Sequence, residues 1–222
     1  MIDLPGTAVK ERIDRNLSVF EVNPAPENPR GILVFLHGVG ASERSMASLV
    51  AAAPADHRRL VLRAPISMGP AAFAWFHVEF TAQGPVLNES EARRSLGLLE
   101  ELVVSLRAAS PGLPICLVGF SQGAILSLLL SVPAPQLVER AICFSGRFPE
   151  EFERDVQPPL DSQHPEIWIG HGVDDQKLNI GYARAIHRLL ERRAYKHSYN
   201  EYAAQHEVTP AMLSDAYRWL DQ

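Results

Sequence analysis

The sequence predicts a single α/β domain, built on one open, mostly parallel central sheet with helices on both faces. Strand-like and helix-like segments alternate along the 222 residues with short breaks, which is typical of parallel strands joined by crossover helices. The segments ILVFLHG and ICLVGF are nearly all apolar, as central strands buried on both faces are. By contrast, RIDRNLSVF near the N-terminus alternates between polar and apolar residues, which predicts an edge strand.

The individual elements follow from the same periodicities. Predicted strands cover residues 12–22, 32–36, 60–63, 115–120, 141–145, 166–170 and 196–202. Predicted helices cover residues 43–53, 89–109, 122–131, 180–193 and 210–221. Asn88 with Glu91 resembles a capping box, while Asn179 and Thr209 suit the N-caps of later helices. The proline-rich NPAPENP segment reads as a turn rather than a linker, so residues 1–222 are predicted to form one domain.

The composition argues against several classes of partner. With 46% apolar and 21% charged residues, the chain has the composition of a globular protein. The net charge is −5 and the basic residues are scattered, so no basic stripe is available for nucleic acid. The N-terminal stretch is charged throughout, and the most apolar window ends at Pro133, too short to span a bilayer. We therefore expect a cytoplasmic protein that neither inserts into membranes nor binds nucleic acid.

The two cysteines point to a structural role rather than to a cofactor. Cys116 and Cys143 each lie inside an apolar strand-like run, where a thiol usually behaves as a small core side chain. Their spacing matches neither a metal site nor a disulfide framework. The sequence therefore predicts no metal and no cofactor.

The segment GFSQGA places a serine between two glycines, after a buried strand and before a helix. In such a turn the serine is forced into a strained conformation that lifts its hydroxyl clear of the sheet. Gly119 and Gly123 would let the strand and the helix approach closely. Ser121 is therefore a candidate nucleophile, and a serine that merely caps a tight turn is the structural alternative.

Two backbone amides near this serine are candidates for an oxyanion hole. The Gln122 amide lies at a helix N-terminus, where the helix dipole favours negative charge. LHGVG ends an earlier buried strand, where a second donor is expected, and Val39 is the residue that we assign. Alternatively, the His37-Gly38 pair only turns the chain.

A serine nucleophile needs a histidine as its base, and His206 is the best candidate of the eight histidines. It follows the last predicted strand and precedes a helix start, so it should lie in a loop at the carboxyl edge of the sheet. Its position also fits the chain order of nucleophile, acid and base. The other candidates fit less well: His37, His57 and His77 precede the serine, His187 lies within a helix and His197 opens a strand.

The acid that orients the histidine should follow the strand IWIG. HGVDD supplies Asp174 and Asp175 at that point, and sequence position alone does not separate them. Glu150 or Glu151, after an earlier strand, is a further alternative.

Taken together, LHGVG, GFSQGA, HGVDD and the late His206 resemble the phospholipase/carboxylesterase family of α/β-hydrolases, which includes acyl-protein thioesterases. The resemblance implies an α/β-hydrolase fold with Ser121 as nucleophile, His206 as base and Asp175 as acid. It also implies that the amides of Val39 and Gln122 form the oxyanion hole.

The segment FAWFHVEF predicts an apolar substrate pocket beside the serine. Trp75 and Phe73 are the residues that we assign to it, with Phe76 and Phe80 as further candidates. All four could equally be core aromatics. Thioesterase-like members carry an aspartate where this segment has His77, so the resemblance implies no particular substrate preference.

The predicted function is a serine carboxylesterase that hydrolyses small to medium carboxylic esters, or thioesters, through an acyl-enzyme on Ser121. Its expected partner is a small-molecule ester, and a homodimer is left open. One alternative is a catalytically silent binding protein with the same fold. Another is a metal site on His171, Asp174 and Asp175.

Overall fold

The computed structural model describes residues 8–14, 17–82, 84–156 and 164–222. The strands are β1 (Ala8–Asp14), β2 (Leu17–Asn23), β3 (Ile32–Leu36), β4 (Arg58–Arg63), β5 (Ile66–Gly69), β6 (Ala72–Ala74), β7 (Val78–Thr81), β8 (Gly84–Leu87), β9 (Ile115–Phe120), β10 (Arg140–Phe144), β11 (Glu166–Gly172) and β12 (His197–Tyr202). The α-helices are α1 (Ala47–Ala52), α2 (Glu89–Ala109), α3 (Gln122–Ser131), α4 (Ile180–Arg192) and α5 (Pro210–Leu220). Two 3-10 helices cover Glu43–Met46 and Glu150–Asp155.

Eight strands form the central sheet, in the order β1-β2-β4-β3-β9-β10-β11-β12. β1 pairs antiparallel with β2, and β2 pairs antiparallel with β4. The other six strands are parallel to one another. The predicted mostly parallel sheet is confirmed, and its six parallel strands bring their carboxyl ends to one edge.

The sheet separates two hydrophobic cores, one on each face. Val34 of β3 packs in the core covered by α2, α3 and α4, whereas the next residue, Phe35, packs under α1 and α5. Because β3 is buried on both faces, all five of its positions are apolar and buried. Cys143 lies in the first core and Cys116 in the second, and burial raises the pKa of the Cys116 thiol to about 12. Helices therefore cover both faces, as predicted.

Three segments differ from the predicted elements. The strand expected over residues 12–22 is instead the β1–β2 hairpin, in which Asp14 pairs with Leu17; residues 15 and 16 lie outside the described residues. The helix expected over 43–53 starts as a 3-10 helix and becomes α-helical only at Ala47. The segment between β4 and α2 contains two unpredicted hairpins, β5–β6 and β7–β8. Their strands of three or four residues are too short to show a periodic pattern.

The predicted helix caps are present, with one difference. The side chains of Asn88, Asn179 and Thr209 accept backbone hydrogen bonds at the starts of α2, α4 and α5. The Glu91 carboxylate accepts a hydrogen bond from the His77 amide at 2.7 Å instead of closing a capping box on Asn88. Glu91 thus ties the segment before α2 to the helix. None of the helices in the described ranges combines the length and apolar character of a membrane-spanning helix.

Candidate active site

Ser121 lies in the sharp turn between β9 and α3, with φ 54° and ψ −115°. A positive φ is strained for a residue with a Cβ, so neighbouring structure must hold this conformation. The neighbouring glycines make the tight turn possible. A Cβ on Gly119 would lie 2.4 Å from the carbonyl carbon of Gly123, and a Cβ on Gly123 would lie 2.0 Å from the Leu36 carbonyl oxygen. Strand and helix are therefore packed backbone to backbone on either side of the serine.

A chain of two hydrogen bonds connects Ser121 to a buried carboxylate. His206 Nε2 lies 2.9 Å from Ser121 Oγ, and His206 Nδ1 lies 2.7 Å from Asp175 Oδ2. With its proton on Nδ1, the imidazole donates to the carboxylate and leaves Nε2 free to accept the serine proton. The structure thus brings together the three side chains assigned from the sequence.

The surroundings of HGVDD separate the two neighbouring aspartates. The Asp175 side chain is fully buried, and its Oδ1 accepts hydrogen bonds from the amides of Lys177 and Leu178, both at 2.9 Å. Asp174 is exposed. The bonds to Oδ1 orient the Asp175 carboxylate so that Oδ2 faces the His206 ring. The alternative acids, Glu150 and Glu151, are exposed in a 3-10 helix.

His171, which the metal-site alternative groups with Asp174 and Asp175, is a buried neighbour of the Asp175 carboxylate. Its Nε2 donates to the Leu178 carbonyl at 2.7 Å and lies 3.2 Å from Asp175 Oδ2. Burial lowers the pKa of His171, which favours the neutral ring. Across the described residues, no group of three His, Cys, Asp or Glu side chains is arranged to hold a metal ion. The alternative of a metal site on His171, Asp174 and Asp175 therefore gains no geometric support.

The two amides assigned to an oxyanion hole lie on either side of the nucleophile turn. Gln122 is the first residue of α3, and Val39 lies in the loop after β3. That loop is close to the serine, because a Cβ on Gly38 would lie 3.3 Å from Ser121 Cβ. In the part of the chain that the structure describes, neither amide donates to a backbone carbonyl. Both therefore remain available to a bound oxygen atom.

His37 holds the loop after β3 in place. Its Nδ1 donates to the Gly38 carbonyl at 2.7 Å, and its Nε2 accepts from the Ala64 amide at 3.1 Å. This pair of bonds requires the neutral ring, and burial lowers the pKa of His37 accordingly. The histidine of LHGVG thus supports the loop that carries Val39.

Ser121 and His206 open onto a cavity of about 360 Å³. Its lining is mainly apolar and includes Met46, Leu49, Phe76, Val78, Phe120 and Ile125. One buried charged residue, Arg147, also lines it.

Contrary to the prediction, neither Trp75 nor Phe73 lines this cavity. Trp75 is fully buried, and its indole N–H donates to the His37 carbonyl at 2.9 Å. Phe73 is only partly buried and lies under the Arg63 guanidinium. Both rings pack in the first hydrophobic core. Phe76, from the same segment, lines the cavity. The side chain of Phe80 lies outside the described part of the chain.

The Gln122 side chain joins the nucleophile turn to this segment. Its Oε1 accepts from the Trp75 amide at 2.9 Å, and its Nε2 donates to the Phe76 carbonyl at 2.6 Å. Gln122 is buried. The residue after the serine therefore fixes the backbone of the cavity wall as well as starting α3.

Comparison with known proteins gives a consistent family. Acyl-protein thioesterase 1 homolog 2 of Dictyostelium discoideum is 26% identical over 177 residues, covering 75% of this chain and 79% of that protein. Esterase YpfH of Escherichia coli is 28% identical over 176 residues, covering 75% and 71%. The crystal structure of esterase PE8 superposes with a TM-score of 0.80 at 22% identity, over 93% of this chain and 98% of that one. At that identity the superposition establishes the α/β-hydrolase fold.

The phospholipase/carboxylesterase family model matches residues 17–222, nearly the whole chain. This protein therefore belongs to the phospholipase/carboxylesterase family of α/β-hydrolases, enzymes that act on ester bonds.

Proposed function

We propose that this protein is a serine carboxylesterase that forms an acyl-enzyme on Ser121. One observation carries the proposal: a continuous chain of hydrogen bonds runs from the buried Asp175 through His206 to the Ser121 hydroxyl, which lines the cavity. A serine hydroxyl becomes an effective nucleophile only when a base removes its proton. The strained turn that presents Ser121 and the apolar cavity in front of it fit the same function.

In the proposed reaction, Ser121 Oγ attacks the ester carbonyl carbon while His206 Nε2 accepts its proton. Asp175 keeps the ring oriented and stabilises the imidazolium. The carbonyl oxygen becomes an oxyanion, which accepts hydrogen bonds from the Val39 and Gln122 amides. The carbon–oxygen bond to the leaving alcohol then breaks, and His206 returns its proton to that alcohol.

Water completes the cycle. His206 removes a proton from a water molecule, whose oxygen attacks the acyl carbon, and collapse of the second tetrahedral intermediate returns the proton to Ser121 Oγ. Every proton passes through one imidazole nitrogen, so the scheme needs no metal or cofactor.

The cavity supports small to medium acyl groups as the proposed substrates. A volume of about 360 Å³ lies at the lower end of the range for small-molecule sites. Its apolar wall suits an alkyl or aryl group, and a thioester presents the same acyl carbon to Ser121. A single domain, a cytoplasmic location and a small-molecule ester as partner belong to this proposal, and a homodimer is compatible with it.

Hydrolysis of p-nitrophenyl butyrate by the wild type and by Ser121→Ala tests the proposal. We expect the substitution to lower kcat by about 10⁴-fold or more, since the nucleophile is lost. Ser127→Ala is the matched control, because Ser127 is a buried serine of α3 whose hydroxyl donates to the Gly123 carbonyl at 2.9 Å. Its rate should stay within about threefold of the wild type, because Ser127 does not line the cavity and its hydroxyl bonds only within α3.

A fluorophosphonate probe separates the esterase from a silent binding protein. We expect rapid labelling of the wild type and none of Ser121→Ala, since only an activated serine reacts quickly. Equal hydrolysis rates in these two proteins, or an unlabelled wild type, would contradict the proposed function.

A further inference from the structure

Arg147 is a buried cation that lines the cavity and has no counter-ion among the described residues. The residue is 7% exposed, and its buried Nη2 has no hydrogen-bond partner among the described residues. The guanidinium lies 5.8 Å from the ring centroid of Tyr182, a weak cation–π contact. Removing an ion from water without a hydrogen-bonded partner is costly. A charge in this position therefore calls for an explanation outside the protein's own packing.

Arg63, elsewhere in the same protein, shows how a partly buried guanidinium is normally compensated. Its Nε and Nη2 donate to the two carboxylate oxygens of Glu43 at 2.7 and 2.9 Å. Arg147 forms no such paired hydrogen bonds to a carboxylate among the described residues. The carboxylates of Glu150 and Glu151 act on it only at a distance, and burial lowers its pKa. An arginine nonetheless keeps its charge at neutral pH.

The loop after β10 carries Arg147 and packs against the helix that presents Ser121. Ser145 adopts a positive φ of 49°, and a Cβ on Gly146 would lie 2.8 Å from Ala124 Cβ. Ala124 belongs to the first turn of α3, which begins directly after Ser121. The loop thus packs closely against the helix that presents the serine, and Arg147 shares a cavity with Ser121.

The other charged groups of the cavity do not neutralise this guanidinium. Lys177 and Glu207 also line the cavity, but both are exposed and opposite in sign. The third titratable group is His206, which already contacts Asp175 and Ser121. Arg147 therefore supplies the buried charge of the cavity.

We propose that Arg147 is a substrate-binding residue and that the preferred substrates are esters that carry a carboxylate, an inference that rests on the proposed esterase function. The planar guanidinium fork matches the two oxygens of a carboxylate. A bound carboxylate would supply the acceptors that the described residues lack. An ester without this group would leave the guanidinium unpaired, and a site of that kind discriminates strongly.

Matched ester pairs test the proposal and show which part of the substrate carries the charge. In the acyl arm, the mono-p-nitrophenyl ester of adipic acid is compared with its terminal carboxamide. In the alcohol arm, para-carboxyphenyl butyrate is compared with para-carbamoylphenyl butyrate. The measured quantity is the ratio of kcat/KM for the charged ester to that for the neutral amide. We expect the wild type to favour the charged ester in at least one arm.

Arg147→Met should lower that ratio by about tenfold or more, the usual effect of losing a hydrogen bond to a charged group. The neutral amide is measured in the same variant, so that a general loss of activity, which lowers both kcat/KM values alike, is distinguished from a loss of charge recognition. Arg192→Met controls for net charge, because Arg192 is an exposed residue at the end of α4 that does not line the cavity. This variant should keep the wild-type ratio. A ratio that Arg147→Met leaves unchanged in both arms would overturn the proposal.

Arg147→Lys keeps the test decisive if the methionine variant does not fold. Lysine retains the charge but loses the planar fork, so we expect an intermediate ratio, and an unchanged one would count against Arg147. Thermal unfolding gives a second measurement. Removing an uncompensated buried charge should leave the unfolding temperature of Arg147→Met unchanged or higher.

Binding of free adipate separates this inference from the proposed function. Calorimetry compares Ser121→Ala with the Ser121→Ala/Arg147→Met double variant, so no turnover is required. We expect adipate to bind about tenfold or more weakly to the double variant. If the wild type hydrolyses no ester faster than Ser121→Ala, the esterase proposal fails and this binding difference alone decides the role of Arg147. Equal adipate affinity in the two proteins would remove that role.

Discussion

The turn after β9 and the segment of residues 66–87 border the same cavity, but different interactions hold them. The turn is fixed by backbone contacts: Gly119 and Gly123 leave no space for a Cβ, and the Leu36 carbonyl lies against the helix start. Residues 66–87, which we call the cavity wall, consist of two small hairpins outside the central sheet. Among the described residues of this wall, Phe76, Val78 and Pro85 reach the cavity.

A backbone bridge between Ala41 and Phe73 joins the cavity wall to the loop after β3, and side-chain hydrogen bonds supply its other ties to the protein. The Trp75 indole reaches the His37 carbonyl, the Gln122 side chain spans the backbone of Trp75 and Phe76, and Glu91 accepts from His77. Such a wall can change its cavity-facing residues without moving the nucleophile. On the proposed function, this comparison implies a division of labour, in which the strand ends carry the chemistry and the wall sets the substrate range.

Asp175→Asn tests the strand-end side of the comparison and has the largest expected effect. An asparagine can present its amide to His206 and select the wrong tautomer, and in the serine-protease triad the equivalent change lowers kcat by about 10⁴-fold. Asp174→Asn is the matched control, because Asp174 is adjacent, exposed and absent from the hydrogen-bonded chain. We expect it to stay within about threefold of the wild type. Steady-state hydrolysis of p-nitrophenyl butyrate measures both, and similar losses in the two variants would contradict the assignment of Asp175.

The sequence predicted the strand ends well because backbone geometry leaves few choices there. A serine flanked by glycines between a buried strand and a helix indicates a sharp turn, and parallel strands bring their carboxyl ends to one edge. Ser121 and His206 could be assigned on those grounds. Asp174 and Asp175 could not be separated, because the choice depends on which side chain meets the amides of Lys177 and Leu178.

The cavity wall was predicted poorly for an equally physical reason. Aromatic residues are buried for packing and for ligand binding alike, so Trp75 and Phe73 gave no local sign of facing the core rather than the cavity. The hairpins were missed because their strands are so short. Arg147 was not singled out in the sequence, because its burial arises from the packing of the folded protein. Each of these outcomes depends on contacts between segments distant in sequence.

Gly123→Ala tests the claim that backbone contact fixes the nucleophile turn. The added Cβ would lie 2.0 Å from the Leu36 carbonyl oxygen, which belongs to a central strand and cannot move aside. We expect the free energy of unfolding to fall by about 3 kcal/mol or more, with loss of fluorophosphonate labelling. Gly97→Ala is the matched control, because Gly97 lies within α2 and its Cβ would meet nothing within 4 Å. There, alanine should add about 0.5–1 kcal/mol. Equal urea midpoints for the two variants would refute the backbone explanation.

Gln122→Met tests the connection between the two regions and has the smallest expected effect on the reactivity of Ser121. Methionine keeps the length and the backbone amide of Gln122 but leaves the buried Trp75 amide and Phe76 carbonyl without their partner. Unpaired buried groups cost about 1–3 kcal/mol each, so we expect the cavity wall to loosen while Ser121 still reacts with fluorophosphonate. Selectivity across p-nitrophenyl acetate, butyrate and hexanoate should then flatten, since a looser wall no longer matches one acyl length. As a carboxylate, the side chain of Gln122→Glu can still accept from the Trp75 amide but cannot donate to the Phe76 carbonyl. Its chain-length selectivity should therefore fall between that of the wild type and that of Gln122→Met. If Gln122→Met kept the wild-type chain-length profile, the wall would not depend on this side chain. If it abolished labelling, Ser121 itself would depend on Gln122, and either result would contradict the division of labour.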